Sequence, residues 1–284
     1  IVTKYLDILY PTSGTSAMSS RIYSLRKCLS SYNGSAIRVR RSSDNAEQDI
    51  GFTTSGDLNV SALTSFVTTG SAYIVTLYDQ TGTANLAQSA TAQQPMIVSA
   101  GTVLTDPANG KPRIRFDGTA TNLRNWNPFI YDQGQHSIFC VNRAVVASAS
   151  GPFILAETPN LSVSGQMAYL KIGATSANRS SYRDVTGFFF LSESGTTPVA
   201  YDGNLNVVIN IDTGTSAIDI TNNSTPYYRS YSRTGYTKLT QIFAVGARVR
   251  NFNDNFFSGF IQELFVTDKA LDLTTVNTIY TNQK

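Results

Sequence analysis

The chain has 284 residues, of which 41% are hydrophobic and only 14% charged, with 15 Tyr and 15 Phe. That length suits one large all-β domain or two ordinary ones, and abundant Ser, Thr, Asn and Gly beside scarce Glu and Lys favour strands and turns over helices. A net charge of +3 carried by dispersed arginines argues against nucleic acid, and no run approaches the ~20 apolar residues of a membrane span, so neither is an expected partner.

Residues 5–10 read as a first strand, stopped by Pro11. Met18, Ile22, Leu25 and Leu29 then recur at helical spacing, with Arg21, Arg26 and Lys27 off that stripe; this predicts a short amphipathic helix over 17–29 that ends near Asn33-Gly34. Over 36–41, Ile37 and Val39 alternate with Arg38 and Arg40, ahead of an acidic run from Asp44 to Asp49. The expectation is a strand whose arginines pair with those carboxylates on a solvated face. A sugar-facing role is an alternative, as is a Ca²⁺ site built from Asp44, Asn45, Glu47 and Asp49, although the spacing is not that of an EF-hand. Asp57 is positioned to cap a second short helix over 60–67, with Val60, Leu63, Phe66 and Val67 on its apolar face.

The stretch from Tyr73 to Val98 organises the rest. Tyr73, Val75 and Leu77 alternate with Ile74, Thr76 and Tyr78 as in a strand, until Asp79-Gln80-Thr81-Gly82 breaks the pattern with a glycine free to take a positive φ. The side chains of Tyr78, Asp79 and Gln80 are suited to sugar hydroxyls, because planar amides and carboxylates pair with neighbouring OH groups. The alternative is that they satisfy loop backbone. Strands follow at 113–116, 137–143, 153–156, 167–172, 187–191, 206–212, 216–220, 238–247 and 257–266, punctuated by Asn109-Gly110, Asp117-Gly118 and Asp202-Gly203, and a helical piece closes the chain over 271–280. With no linker or internal repeat, the pattern predicts a single domain over 1–284: all-β, two packed antiparallel sheets with a few short helices.

Other chemistry is thin. Cys28 and Cys140 read as buried free thiols, the first in a helix and the second in a strand, more than as a disulfide. The single histidine, His136, reads as a polar loop residue; no Gly-x-Ser-x-Gly elbow accompanies it, and one His with two separated Cys forms no zinc set. No metal site and no cofactor is therefore expected. Trp126, the only tryptophan, lies in the polar run Arg124-Asn125-Trp126-Asn127-Pro128, where its ring could stack on a sugar or pack beneath the loop.

Ser20-Arg21, the run from Ala36 to Asp44, and Tyr78-Asp79-Gln80-Thr81-Gly82, in this order and spacing, resemble the catalytic domain of α-L-arabinofuranosidase B, glycoside hydrolase family 54. The run from Phe257 to Val266 followed by Ala270-Leu271 is similar to the closing strand of laminin-G and concanavalin-like jelly rolls. The same pattern also resembles concanavalin-like domains of bacteriophage and other viral structural proteins. The resemblance implies a concanavalin A-like jelly-roll β-sandwich and a retaining hydrolase whose two carboxyls stand about 5–5.5 Å apart across the glycosidic bond. Glu193, in Phe188-Phe189-Phe190-Leu191-Ser192-Glu193, falls where the nucleophile is implied. The implied acid does not fall in place: Arg248 stands where an Asp is expected, and Asp254 is the nearby replacement.

That departure favours a non-catalytic virion surface protein, a capsid decoration or a tail or receptor-binding component, on the virion surface or extracellular. Its expected partners are a glycan or host-surface polysaccharide and other virion proteins, with packing into a homo-oligomer through exposed sheet edges. On that reading Tyr78, Asp79, Gln80, Trp126 and Arg248 bind carbohydrate. The alternatives are an arabinofuranosidase-like retaining hydrolase using Glu193 and Asp254, and a cellular lectin or adhesin domain.

Overall fold

The structure is a computed structural model that describes residues 6–7, 20–82, 84–130, 135–145, 153–158, 167–172, 178–184, 187–189, 205–214, 216–221, 226–230, 242–249 and 253–283. Among these, every strand pairing is antiparallel, and the strands form two facing layers.

One layer runs in hydrogen-bonded order through Tyr227–Ser230, Ser216–Thr221, Asn206–Asp212, His136–Ala144 and Ser258–Thr267. The far side of that last strand pairs with Ser20–Ser24 at one end and Ile114–Asp117 at the other. The second layer begins Glu47–Ile50, Ile37–Arg41, Ala72–Leu77, Leu86–Ala87 and Leu123–Asn125. It continues through Ile242–Val245, Phe153–Thr158, Met167–Ile172, Asn178–Asp184 and Gly187–Phe189. Met96–Ser99 pairs with both Ala72–Leu77 and Ile114–Asp117 and so joins the layers along one edge.

Side-chain alternation explains why the first layer is apolar on both faces. Ile138, Cys140, Leu264 and Val266 point into the core between the layers, against Ile37, Val39, Ile74, Leu123, Phe243 and Val245. Phe139, Val141, Ile209 and Phe265 point the other way, onto Val276, Ile279 and Tyr280 of the C-terminal helix Leu273–Gln283. Phe139 and Phe265 meet there in a tilted pair, 5.3 Å between centroids, and burial of each such ring stabilises by about 1.5–3 kcal/mol. The second layer has its own small outer cluster, in which Ile242 and Ala244 are covered by Ala247 and Val249.

Several expectations need correction. The stretch read as a helix over 17–29 carries the strand Ser20–Ser24. Ile22, Leu25 and Leu29 are buried as their spacing suggested, but they sit on a strand and the loop after it, because the edge of Ser258–Thr267 offers a ladder that local helical pattern cannot outbid. Cys28 therefore lies in a loop and Cys140 in a strand; both are free thiols, pushed well above the ordinary range by burial and, to a lesser degree, by the Glu263 carboxylate. The helix Val60–Val67 forms, capped by Asn59, whose Oδ1 accepts from Ala62 N at 3.0 Å, while Asp57 pairs with Lys111 instead. His136 is buried as the first residue of its strand rather than exposed in a loop. The strand expected over 5–10 falls mostly outside the described residues.

Candidate functional site

The turn after Ala72–Leu77 faces inward. Asp79 is 1% exposed: its Oδ1 accepts from Ile22 N (2.9 Å) and Thr81 N (3.0 Å), and its Oδ2 from the Thr81 hydroxyl (2.8 Å) and Ala84 N (3.2 Å). Gln80 accepts from Cys28 N (2.7 Å) and donates to Arg26 O (2.7 Å). Gly82, at φ 78°, lets the chain reverse around them. These two side chains hold the 20–28 segment to the turn, the structural alternative weighed from sequence. Tyr78 points the other way. Its hydroxyl donates to Asp49 Oδ1 at 2.8 Å, and partial burial together with that carboxylate pushes it up to about 12. Arg38, bonded to Asp49 at 2.9 Å, holds the Asp49 carboxyl below its ordinary range. Arg38 pairs with Asp49 on a solvated face, as its alternation suggested, and Arg41 pairs with Asp44. Arg40, expected to share that face and its carboxylates, is instead buried and bonded to Gln94 and Asn45, because the strand Met96–Ser99 and the turn before it cover its side of the sheet.

Trp126 is the opposite case. Its ring is 62% exposed, on a loop held firmly from beneath. Glu157, fully buried at the end of Phe153–Thr158, accepts from Phe129 N and, at 2.6 Å, from Ile130 N. Arg21, also buried, donates to Asn127 O and lies over the rings of Phe129 and Phe243, 4.8 and 5.1 Å from their centroids. Asn125 Oδ1 accepts from Asn127 N at 3.0 Å, while its Nδ2 reaches Ala84 O at 3.3 Å. Tyr23 donates to that same carbonyl at 2.6 Å. Ala84 thus joins the Asp79 turn to the Trp126 loop, amide on one side and carbonyl on the other. A large apolar ring kept in water on so constrained a loop is suited to flat contact with the CH face of a sugar.

The third part is the hairpin after Ile242–Val245. Gly246, at φ 87°, turns the chain where an added Cβ would strike the ring of Phe116. Arg248–Val249 then pairs with Asn253–Asp254, with Arg248 opposite Asp254. The guanidinium grips that carboxylate with two nitrogens, Nε to Oδ1 at 2.6 Å and Nη2 to Oδ2. The Thr158 hydroxyl donates to Val249 O and ties the hairpin beside Glu157. The Trp126 loop and this hairpin therefore gather around one strand: Asn125 is in register with Phe243, and Thr158 with Ile242. Glu193 lies outside the described residues. Among the described residues no group of three or more His, Cys, Asp or Glu is arranged to hold a metal.

Sequence reasoning missed the two buried charges that fix the Trp126 loop. Arg21 was assigned to the polar side of a helix, and Glu157 ends an apolar strand whose lone carboxylate was the available signal.

With this geometry in hand, likeness to known proteins is informative. The family model described as Alpha-L-arabinofuranosidase B, catalytic, matches residues 7–112. An arabinofuranosidase crystallised with arabinofuranosyl-α-1,2-xylobiose superposes with a TM-score of 0.70 at 17% identity, covering 92% of this chain and 61% of its own. A mutant GH54 α-L-arabinofuranosidase soaked with 4-nitrophenyl α-L-arabinofuranoside gives a TM-score of 0.70 at 16% identity, covering 94% of this chain and 62% of its own. A GH54 enzyme soaked with a cyclic sulfate inhibitor gives 0.66 at 16%, covering 92% and 61%. The chain thus spans about three-fifths of the length of these structures, and at such identities they establish the shared sandwich fold. No curated protein is significantly similar in sequence. The resemblance to the GH54 catalytic domain and the concanavalin-like jelly roll both stand. The expectation of a non-catalytic virion surface protein is corrected: the matching family model is that of a glycoside hydrolase catalytic domain.

Proposed function

We propose that this chain is an arabinofuranosidase-like glycoside hydrolase domain that works by the retaining mechanism, with Glu193 as nucleophile and Asp254 as acid/base. The observation that carries the reading is the hairpin that returns Asp254 to Arg248, the position where the GH54 resemblance implies the acid. The aspartate missing from that position is supplied from six residues later, in direct contact with the arginine that replaced it.

In this mechanism Glu193 attacks the anomeric carbon, and Asp254 gives a proton to the departing glycosidic oxygen. It then takes a proton from the water that releases the sugar. Asp254 must loosen from Arg248 to do so. A sugar hydroxyl that draws on the guanidinium would free the carboxyl at the moment of binding, a role for Arg248 in substrate contact. Trp126 supplies a stacking face for the glycan, and Tyr78 a hydroxyl at the edge of the same sheet.

The test compares the native protein with Glu193→Gln and Asp254→Asn on two substrates, 4-nitrophenyl α-L-arabinofuranoside and arabinofuranosyl-xylobiose. Glu193→Gln is expected to abolish turnover of both. Asp254→Asn is expected to lose about 10²–10⁴-fold on the oligosaccharide, whose leaving group needs the proton, and much less on the nitrophenyl glycoside, whose leaving group does not. Absence of turnover by the native protein, or turnover indifferent to Glu193→Gln, would refute the proposal.

A further inference from the structure

A polar pocket apart from the hydrolytic site lies along the edge where Met96–Ser99 joins the two layers. Four residues in cross-strand register form its floor, Arg40, Tyr73, Met96 and Arg115, carried by four adjacent strands. The pocket is open to solvent, with a volume of about 540 Å³, and Asp117 and Gln94 also line it. That volume falls in the roughly 300–1,000 Å³ range of small-ligand sites. None of the residues Tyr78, Asp79, Gln80, Trp126, Arg248 or Asp254 lines it.

Arg40 is the unusual member. It is only 8% exposed, yet no described carboxylate pairs with it. Its neighbours on the same strand, Arg38 and Arg41, each have one. Nε of Arg40 donates to Gln94 Oε1 at 2.8 Å, Nη1 to Asn45 Oδ1 at 2.7 Å, and the guanidinium lies 5.0 Å from the Tyr73 ring centroid. Those contacts fix its orientation and leave Nη2 without an acceptor among the described residues. Burying a guanidinium without a counter-charge is costly, and a group so constrained is preorganised for an anion that arrives from solvent. Across the floor, Arg115 is exposed and has no described partner, and Asp117 engages only its Oδ1, bonded to the amides of Thr119, Ala120 and Thr121.

The occupant must satisfy both signs. A bare phosphate or acetate would meet Arg40 and Arg115 but would face the free Oδ2 of Asp117. A ligand with one carboxylate and several hydroxyls suits the whole lining: carboxylate on a guanidinium, hydroxyls on Asp117 and the Tyr73 phenol. We propose that this pocket is a carbohydrate subsite for an acidic sugar, a hexuronosyl unit whose carboxylate is received by Arg40. It is separate from the hydrolytic site and independent of turnover.

Ligand-detected NMR titration of the full chain carrying Glu193→Gln tests this without interference from hydrolysis, so its outcome does not depend on whether the domain cleaves arabinofuranosides. The probes are D-glucuronate, D-glucose, acetate and inorganic phosphate. Glucuronate is expected to bind at least tenfold more tightly than glucose or acetate. Arg40→Gln should remove that preference, and Arg115→Gln, at an exposed strand position that does not threaten folding, should weaken glucuronate several-fold. Equal binding of glucuronate and glucose would overturn the inference. So would acetate or phosphate binding as well as glucuronate, glucuronate binding unmoved by Arg115→Gln and by Arg40→Gln, or no glucuronate binding at all.

Discussion

Two polar loops share the backbone of Ala84, one through its amide and the other through its carbonyl, and use their side chains in opposite directions. At the 79–82 turn, carboxylate and amide point inward and satisfy the backbone of the segment they hold. At the Trp126 loop Asn125 makes one such bond, but the buried groups that fix the loop come from elsewhere, from Arg21 and Glu157, and the loop's own large side chain is left in water. From sequence the two look alike, runs of Asn, Gln and Asp beside an aromatic. What separates them is the source of the hydrogen bonds. A loop whose side chains are taken up by buried backbone is architecture, whereas a loop held by charges from the scaffold keeps a side chain available for a ligand.

Substitution can break that contrast. The largest effect is expected at Asp79→Ala, which strands the amides of Ile22, Thr81 and Ala84 in the interior, a loss of about 3 kcal/mol or more. Urea unfolding measures it; a loss under 1 kcal/mol would mean that the turn does not depend on this carboxylate. Glu157→Gln comes next. It keeps one acceptor oxygen but gives up the charge that two amides share, at about 1–3 kcal/mol. Its signature is local: hydrogen exchange at Phe129 and Ile130 should quicken more than in the Phe139–Phe265 region. Uniform acceleration would show that Glu157 supports the whole sandwich rather than this loop.

Gly246→Ala sharpens the same point for the hairpin. A positive φ and the Phe116 ring both oppose a Cβ, so a loss of more than about 1 kcal/mol is expected, together with lower activity through displacement of Asp254. A variant of native stability and native activity would sever the hairpin from the site. Trp126→Ala should do the reverse of Asp79→Ala. Stability should move by no more than ~0.5 kcal/mol, as at surface positions, because the ring packs on little. Binding of arabinofuranosyl-xylobiose, measured on the Glu193→Gln chain, should weaken by about five- to tenfold, a loss of roughly 1 kcal/mol. Unchanged affinity would remove Trp126 from the site.

The fold was largely legible in the sequence, because alternation and turn residues mark strands wherever one face is buried. The strand Asn206–Asp212 was expected with those bounds, and the pairing of Arg38 with a carboxylate followed from alternation beside an acidic run, although Arg40 of the same alternation takes none. The stretch 17–29 was not legible. Ser20–Ser24 is buried along its whole length, so period-2 contrast vanishes and a spurious helical spacing remains. The site was legible only in part. Trp126 stood out as a lone aromatic in a polar run, and the Arg248–Asp254 substitution was visible against the GH54 pattern. That the two residues meet depends on the hairpin. The isolation of Arg40 depends on which carboxylates its neighbours take, a three-dimensional fact that no local pattern carries.

The smallest effect concerns acid stability at the rim of the Arg40 pocket. Partial desolvation pushes the Asp117 carboxyl up, but the amides of Ala120, Thr119 and Thr121 and the Thr121 hydroxyl outweigh it and hold the group at about 2. An unfolded aspartate titrates near ~3.9, so the folded form binds its proton less readily than the unfolded one. The contribution of Asp117 to stability is therefore complete above about pH 4 and is lost as pH falls through about 2. Asp117→Asn keeps an oxygen for the same amides and removes the titration. The variant should be slightly less stable at pH 6, and the gap should close between pH 4 and pH 2. Unfolding midpoints across that range measure the convergence. Because Arg40 and Arg115 line the same pocket, repeating the series with glucuronate present tests both signs of charge at once: the acid should stabilise the native chain at pH 6 and do little for Arg40→Gln. Parallel curves for native and Asp117→Asn proteins down to pH 2 would mean that the amide cluster does not hold this carboxylate in solution.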